Sequence, residues 1–145
     1  VRRANESKSK MLKLVVLLTL GIYLPAILCL SEEMEELAKQ LHGECVAQVG
    51  VDEALITMVQ EQKGFPDDEK FKCYLKCLMT EMAVVGDDGV IDVEAAIGII
   101  PDEFKEKAEP IMRKCGFKPG ANPCDNVYQT HKCYYDVDPK AYMII

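Results

Sequence analysis

The chain has 145 residues, enough for one domain, and its 17 Lys and Arg against 24 Asp and Glu give a net charge of −7. This balance argues against a sequence-independent nucleic-acid binder, because phosphate binding needs clustered Lys and Arg. The charge is unevenly divided: residues 1–31 carry five basic residues and one acidic residue, whereas residues 32–145 carry 12 basic and 23 acidic ones.

The basic N-terminal segment predicts a secretory signal peptide. Lys13 precedes an uncharged apolar run over residues 14–30, and small and then acidic residues follow it, which is the order of a signal peptide. A membrane anchor is the alternative, since the run is close to the shortest spanning length. Pro25 near its end and the lack of a basic cluster after it favour the signal peptide.

The domain boundaries follow from this interpretation. Met11 stands where an initiator would, so residues 1–10 are expected to be upstream sequence. Residues 11–31 are expected to be the signal peptide, with cleavage after Ser31. Residues 32–145 are then a single secreted, extracellular domain.

The first half of that domain predicts three helices joined by turns. Apolar residues recur at helical spacing over residues 32–49, with the pattern weakened at Gly43. Asp52 is a candidate N-cap of the second helix. The Asp pair at 67–68 opens the third and longest helix, which is expected to run to about Val85.

The second half predicts three more helices. Residues 92–99 are too densely apolar to show one face, and we favour a buried helix over a buried strand because no partner strand is predicted elsewhere. Pro101 is expected at the first position of a helix that ends near Cys115 and that Pro110 should kink or break. The last helix is expected over residues 123–135, followed by a short tail.

The cysteines predict a disulfide framework. Of seven, Cys29 lies in the predicted signal peptide, and an even number remains in a small secreted domain. Cys73 and Cys77 stand one helical turn apart, so a bond between them would strain the helix. Cys124 and Cys133 are nine residues apart on the last helix, beyond the reach of a disulfide. These limits leave several pairings open.

No catalytic, metal or cofactor site is predicted, so the chain is not expected to be an enzyme. The C-x3-C spacing on a helix differs from the C-x2-C loops of structural zinc sites. The only histidines are His42 and His131, and they support no Ser/His/Asp arrangement. The acidic turn at 86–89 lacks the residue order of a calcium loop.

The cysteine spacing resembles that of the insect odorant-binding and pheromone-binding proteins of the six-cysteine group. The spacing is C-x27-C-x3-C-x37-C-x8-C-x8-C, and the x3 and the final x8 are fixed intervals of that family. "DDEKFKCYLKCL" is similar to the family's acidic-Lys-Cys-Tyr segment, and "HKCYYDVDPKAYMII" looks like its short-tailed endings. The resemblance covers residues 32–145, an odorant-binding domain. It implies an all-α, compact bundle of about six helices around an apolar ligand cavity, stapled by three disulfides.

The family pairs its first cysteine with the third, the second with the fifth and the fourth with the sixth. The resemblance therefore implies the bonds Cys45–Cys77, Cys73–Cys124 and Cys115–Cys133. The segment 73–77 would then link the first helix to the last through one helical turn, each bridge contributing roughly 2–4 kcal/mol.

The ligand cavity implied by the resemblance is expected to be lined by flexible Met and aliphatic residues, which suit varied apolar shapes. The small Ala96 and Ala108 would leave room, and Tyr134 would supply an aromatic face and a hydroxyl. An ordinary core is the alternative for each position. The candidate ligand-binding residues are Met79, Met82, Val93, Ala96, Ile97, Ile100, Ala108, Ile111, Met112, Val127, Tyr134, Met143 and Ile144.

The apolar tail is expected to fold back as one wall of the cavity, as short-tailed relatives imply. The carboxylate of Ile145 would then sit in a poorly solvated place and need donors, for which His42 and Tyr74 are the candidates. Acid would protonate the carboxylate and charge His42, so that the tail loosens and the ligand leaves. The alternative is that His42 is simply a solvated helix residue.

The expected function is that of a secreted soluble carrier, with no cofactor and no nucleic-acid partner. It would bind small apolar or amphipathic odorants or pheromones and deliver them to an olfactory receptor at a membrane surface, as a monomer or weak homodimer. One alternative is a carrier of the same fold for lipids or hormones outside olfaction. Another is a disulfide-stapled secreted effector that acts on a protein partner, which an exposed apolar patch would favour.

Overall fold

Six helices and no strand build the part of the chain that the computed structural model describes, residues 34–144. The predicted all-α class is therefore confirmed. The chain divides into two compact units, Val1–Lys39 and Gln40–Ile145, and the contacts described below lie within the second. The helices are α1 (34–49), α2 (Glu53–Gln60), α3 (Glu69–Glu81), α4 (Val93–Ile99), α5 (Asp102–Cys115) and α6 (Pro123–Val137). No helix within these described residues is long and apolar enough to cross a membrane.

Four of the helices begin at a side chain that caps the free N–H groups of the first turn. Asp52 caps α2 and Asp68 caps α3, as predicted. Asp92 caps α4, and Asn122 caps α6 by accepting the N–H of residue 125. Each such cap stabilises its helix by about 1 kcal/mol, so the starts of these helices are encoded locally.

The predicted end of α3 was wrong. The helix ends at Glu81, four residues before Val85, because Ala83 adopts a left-handed conformation with φ of 58°. Val85 then pairs with Ile91 in an isolated antiparallel bridge. Val85 is buried outside the helix, so its apolar character continued the helical pattern in the sequence. Nor is α3 the longest helix, since it has 13 residues and α6 has 15.

The predicted boundaries of the last two helices also need correction. Pro101 is the N-cap of α5, one position before its expected place, and Pro110 does not break the helix, which is continuous to Cys115. Pro110 is exposed, so solvent can reach the carbonyl group that loses its helical donor there. The last helix continues to Val137, two residues beyond its predicted end.

The acidic turn before α4 is packed against the start of α6. Gly89 has φ of 74°, and a Cβ atom at this residue would lie 2.1 Å from the carbonyl oxygen of Pro123. The side-chain amide of Asn126 donates to the carbonyl of Asp88 at 2.9 Å. Only glycine fits this approach, which fixes where α4 begins relative to α6.

The core is centred on α3 and α6, which pack against each other more extensively than any other pair of the helices α2 to α6. Burying a large aliphatic or aromatic side chain contributes roughly 1.5–3 kcal/mol. The largest fully buried side chains of these two helices are Phe71, Tyr74, Leu75, Leu78, Val127 and Thr130.

Three disulfides connect the helices, and their pairs are those that the family resemblance implies. One joins α1 to α3, one joins α3 to α6, and one joins the end of α5 to α6. The bonds are Cys45–Cys77, Cys73–Cys124 and Cys115–Cys133. The two cysteines of α3 therefore bond to different helices and not to each other, which agrees with the strain expected of a bond within one helical turn.

A buried lysine lies beside the disulfide between α3 and α6. The Nζ atom of Lys72 is 2.7 Å from Asp67, 3.0 Å from Glu69 and 3.3 Å from Asp125, and it also lies 5.0 Å from the ring centre of Tyr128. Its side chain is 10 % exposed. Hydrogen bonds to Asp67 and then Glu69 raise the pKa of Lys72, so the lysine remains charged inside the interface.

Candidate functional site

One connected cluster of apolar side chains contains all the predicted cavity residues except Met143. Of these, Ala96, Ile97, Met112, Val127 and Tyr134 are buried. The others are partly buried and pack against the buried ones. The residues that the sequence assigned to one wall therefore face one interior, and their role as a ligand-binding wall stays a prediction.

Met143 does not join this cluster. Its side chain is 59 % exposed, whereas its neighbours Tyr142 and Ile144 pack against the core. The structure thus brings two of the tail's apolar residues to the interior and leaves the residue between them in solvent.

The helices α4 and α5, which carry six of the 13 candidate residues, are joined by a charged contact. The guanidinium of Arg113 on α5 contacts both carboxylate oxygens of Glu94 on α4, and its Nε atom donates to Glu109 at 2.8 Å. Hydrogen bonds to these two carboxylates raise the pKa of Arg113. The contact between Arg113 and Glu94 is bidentate, and a bidentate contact fixes orientation as well as distance. It therefore holds α4 in register with α5.

Phe65 is a member of the apolar cluster to which the sequence interpretation gave no role. It lies in the turn between α2 and α3, and its ring centre is 5.0–5.5 Å from those of Phe71, Tyr128, Tyr135 and Tyr142. It therefore joins α3, α6 and the tail in one aromatic group. The available signal was a phenylalanine within a Gly–Phe–Pro turn, where a large apolar residue has no local reason to occur.

The tail is attached to α6 by a hydrogen bond that the sequence interpretation also missed. The hydroxyl of Tyr142 lies 2.8 Å from Nδ1 of His131, and the two rings meet edge to face. Burial lowers the pKa of His131 to about 4, and loss of solvent around its hydroxyl raises the pKa of Tyr142. Both groups are therefore neutral near pH 7, and the phenol can donate to the imidazole.

His42 and Tyr74, the two predicted donors of the tail latch, lie together. Nδ1 of His42 on α1 is 2.8 Å from the hydroxyl of Tyr74 on α3, and their rings meet edge to face. Desolvation raises the pKa of Tyr74, which keeps this phenol protonated. Ile145, the third predicted member, is outside the described residues, so the latch itself stays a prediction.

Tyr134 carries a buried polar atom within the apolar cluster. Among the described residues, its hydroxyl is the only buried side-chain oxygen or nitrogen without a hydrogen-bond partner. Its ring lies 5.4 Å from that of His131. Desolvation raises the pKa of Tyr134 to about 12, so the group is a neutral phenol.

The described residues bring no three His, Cys, Asp or Glu side chains together in a group that could hold a metal ion. The predicted signal peptide, residues 11–31, and the upstream residues 1–10 lie outside the described part of the chain.

Two kinds of sequence comparison place this chain among known proteins. The sequence model of the PBP/GOBP family matches residues 29–137. The B1 protein of Tenebrio molitor is 32 % identical over 127 residues, which cover 80 % of this chain and 89 % of that protein. General odorant-binding protein 69a of Drosophila melanogaster is 26 % identical over 102 residues, which cover 70 % and 69 % of the two chains.

Solved structures of insect proteins share the fold. Locusta migratoria odorant-binding protein lmigOBP1 is 33 % identical with a TM-score of 0.67, and the match covers 72 % of this chain and 81 % of that one. Odorant Binding Protein 7 from Anopheles gambiae, solved in complex with an azo compound, is 29 % identical with a TM-score of 0.63. That match covers 72 % of this chain and 85 % of the Anopheles protein.

Proposed function

The chain belongs to the PBP/GOBP family, and from that premise we propose that it is a carrier of small apolar ligands, delivering odorants or pheromones to an olfactory receptor. Membership confirms the resemblance that the cysteine spacing indicated. The observation that carries the proposal is the family match over residues 29–137, supported by an apolar cluster that α3, α4, α5, α6 and the tail share.

Secretion and the absence of catalysis belong to the same proposal. The predicted signal peptide at residues 11–31 would route the domain to the extracellular fluid, where disulfides persist. Relatives are named as odorant-binding proteins rather than as enzymes, which supports a binding role. The comparisons do not favour the alternatives of a lipid or hormone carrier outside olfaction or of a secreted effector. Whether the carrier is a monomer or a weak homodimer stays a prediction.

We propose that the ligand is enclosed by the apolar residues of α3, α4, α5, α6 and Ile144. Burial of apolar ligand surface contributes about 25 cal/mol per Å², and after the costs of association this gives micromolar binding of a medium-sized ligand. Ala96 is buried and Ala108 is partly buried in the cluster, so both positions are places where a larger side chain would compete with the ligand.

The tail latch is proposed as the means of release. The paired His42 and Tyr74 would hold the carboxylate of Ile145, and protonation in acid would weaken that contact. The test compares ligand affinity at pH 7 and pH 5 for the full chain and for a chain truncated after Pro139. Equal losses of affinity in the two chains would rule out a latch formed by the tail.

Displacement of a fluorescent apolar probe, N-phenyl-1-naphthylamine, tests the carrier proposal. We expect micromolar binding, displacement by medium-chain alcohols, esters or aldehydes, and loss of binding in Ala96→Phe and Ala108→Phe. Ala54→Phe is the matched control, because Ala54 is an exposed alanine on α2. Normal binding in both interior variants would show that the proposed wall is misplaced, and failure of the native chain to bind any of these ligands would refute the carrier function.

A further inference from the structure

We propose that Tyr134 is a specificity-determining residue whose hydroxyl donates a hydrogen bond to a neutral oxygen of the bound ligand. The chain would then favour ketones, aldehydes and esters over hydrocarbons of the same length. This inference rests on the proposed carrier function and states which chemical class the carrier prefers.

The first observation is the burial of the hydroxyl without a partner. Tyr134 is 8 % exposed, and its oxygen has no hydrogen-bond partner among the described residues. Leaving a hydroxyl buried and unpaired costs about 1–3 kcal/mol. The large majority of buried polar side-chain atoms in proteins have a hydrogen-bond partner, so this exception points to a group that is supplied from outside the chain.

The second observation is that the neighbouring tyrosines are paired. Tyr142 contacts His131, and Tyr74 contacts His42, each at 2.8 Å. The hydroxyls of Tyr134 and Tyr74 are close enough to Tyr142 to raise its pKa further, after the larger effect of desolvation. Three phenols therefore share this part of the interior, and only Tyr134 lacks a partner there.

The chemistry of the surroundings selects a neutral acceptor over an anion. The phenol of Tyr134 keeps its proton because its pKa is raised to about 12, so it acts as a donor near pH 7. A carboxylate ligand would bring a charge into the apolar cluster, and burying a charge there costs more than burying a neutral oxygen. Lys72, the buried lysine of the core, is already paired with three carboxylates. A carbonyl oxygen satisfies the hydroxyl without bringing a charge into the apolar cluster.

The first test of the proposal measures the stability of the protein without ligand. Tyr134→Phe removes an unpaired polar atom while keeping the ring, so the variant should be as stable as the native chain or more stable in denaturant unfolding. A loss of more than about 1 kcal/mol would mean that the hydroxyl has a partner inside the protein, and the proposal would be wrong.

The second test compares the affinities of two ligands of the same chain length, 2-nonanone and nonane. Both affinities are measured by displacement of the same fluorescent probe. We expect Tyr134→Phe to weaken 2-nonanone about fivefold to tenfold, the equivalent of one hydrogen bond, while nonane binds as before. Tyr135→Phe is the control, since Tyr135 is the next buried tyrosine of α6, and both ligands should bind it normally.

The remaining outcomes separate this inference from the carrier function. Equal weakening of both ligands in Tyr134→Phe would show that the ring shapes the site and that the hydroxyl selects nothing. Unchanged binding of both would overturn the inference while leaving the carrier intact. Failure of either ligand to bind the native chain would refute the carrier proposal and this inference with it.

Discussion

The α3–α6 interface and the C-terminal tail both bury aromatic side chains, but different interactions hold them. The interface is joined by the Cys73–Cys124 disulfide and by the buried Lys72. This lysine contacts the carboxylate of Asp125 on α6 and two carboxylates at the start of α3. The tail is held by one described side-chain hydrogen bond, between Tyr142 and His131, and by ring contacts such as those with Phe65.

This difference indicates which region can move while the fold persists. A disulfide contributes roughly 2–4 kcal/mol, and breaking a buried ion pair costs more than breaking one neutral hydrogen bond. Opening the tail should therefore cost less free energy than opening the α3–α6 interface. A carrier that must exchange its ligand needs that combination of a fixed scaffold and one separable wall.

The largest expected effect comes from removing the covalent bond of the interface. The double variant C73A/C124A loses a bridge between residues separated by 51 positions, and the chain-entropy relation puts the loss near 4 kcal/mol. The variant C115A/C133A opens a shorter separation of 18 positions, for which the same relation puts the loss near 3 kcal/mol. Denaturant unfolding of both variants measures the two losses, and the reverse order would show that native-state contacts outweigh loop closure here.

The buried lysine should give the next effect. Lys72→Ala leaves Asp125 in the interface without its cation, and we expect a loss of about 3 kcal/mol in unfolding free energy. Lys132→Ala is the control, because Lys132 forms an exposed pair with Asp136 on α6, and such pairs contribute less than about 1 kcal/mol. Similar losses in the two variants would mean that Lys72 contributes no more than a surface ion pair.

The third prediction tests the tail's imidazole partner through pH. Burial holds the pKa of His131 at about 4 in the folded chain, against about 6.5 when unfolded. The folded state therefore binds fewer protons than the unfolded state in acid. The contribution of His131 to the unfolding free energy is fully present above pH 6.5 and is lost as the pH falls towards 4, by about 3 kcal/mol in all. Tyr142 and Tyr134, the titratable groups whose rings contact His131, remain neutral over this range.

His131→Gln isolates that effect from the carboxylates, which also titrate in acid. The difference in unfolding free energy between the native chain and the variant should shrink by about 3 kcal/mol from pH 7 to pH 4. A constant difference across the range would show that His131 is charged in the folded protein or has an ordinary pKa there.

Much of the interface was predictable from sequence because its signals are local or covalent. Asp52 was recognised as a cap, and the pair Asp67 and Asp68 as the start of α3, from residue type and position. The disulfide pairs followed from the family's spacing, since helix geometry alone left several pairings open. The end of α3 was not predictable in this way, because Val85 is buried outside the helix and extends the apolar pattern past the turn.

The tail was less predictable because its contacts join residues distant from one another in the chain. Phe65 and His131 received no role from the sequence, although Phe65 contacts rings of α3, α6 and the tail, and His131 holds Tyr142. The periodicity of apolar residues in the sequence does not reveal contacts between residues that are distant in the chain. The proximity of His42 to Tyr74 was proposed only through the framework of the family, and the structure places them 2.8 Å apart.

The smallest effect should come from the single hydrogen bond of the tail. Tyr142→Phe keeps the ring contacts and removes the hydroxyl that lies 2.8 Å from His131, at a cost of about 1 kcal/mol. The backbone N–H groups of residues 141 and 142 both donate to the carbonyl of Asp138, so their hydrogen exchange reports opening of the tail. We expect exchange there to accelerate about fivefold, while the amides in the middle of α6 exchange as before, because the disulfides and ion pairs of the interface are intact. Tyr135→Phe, a change in the same aromatic group, should leave both sets of amides unchanged. Equal acceleration along α6 and the tail would mean that the two regions open together, and the tail would then not be a separable wall of the carrier.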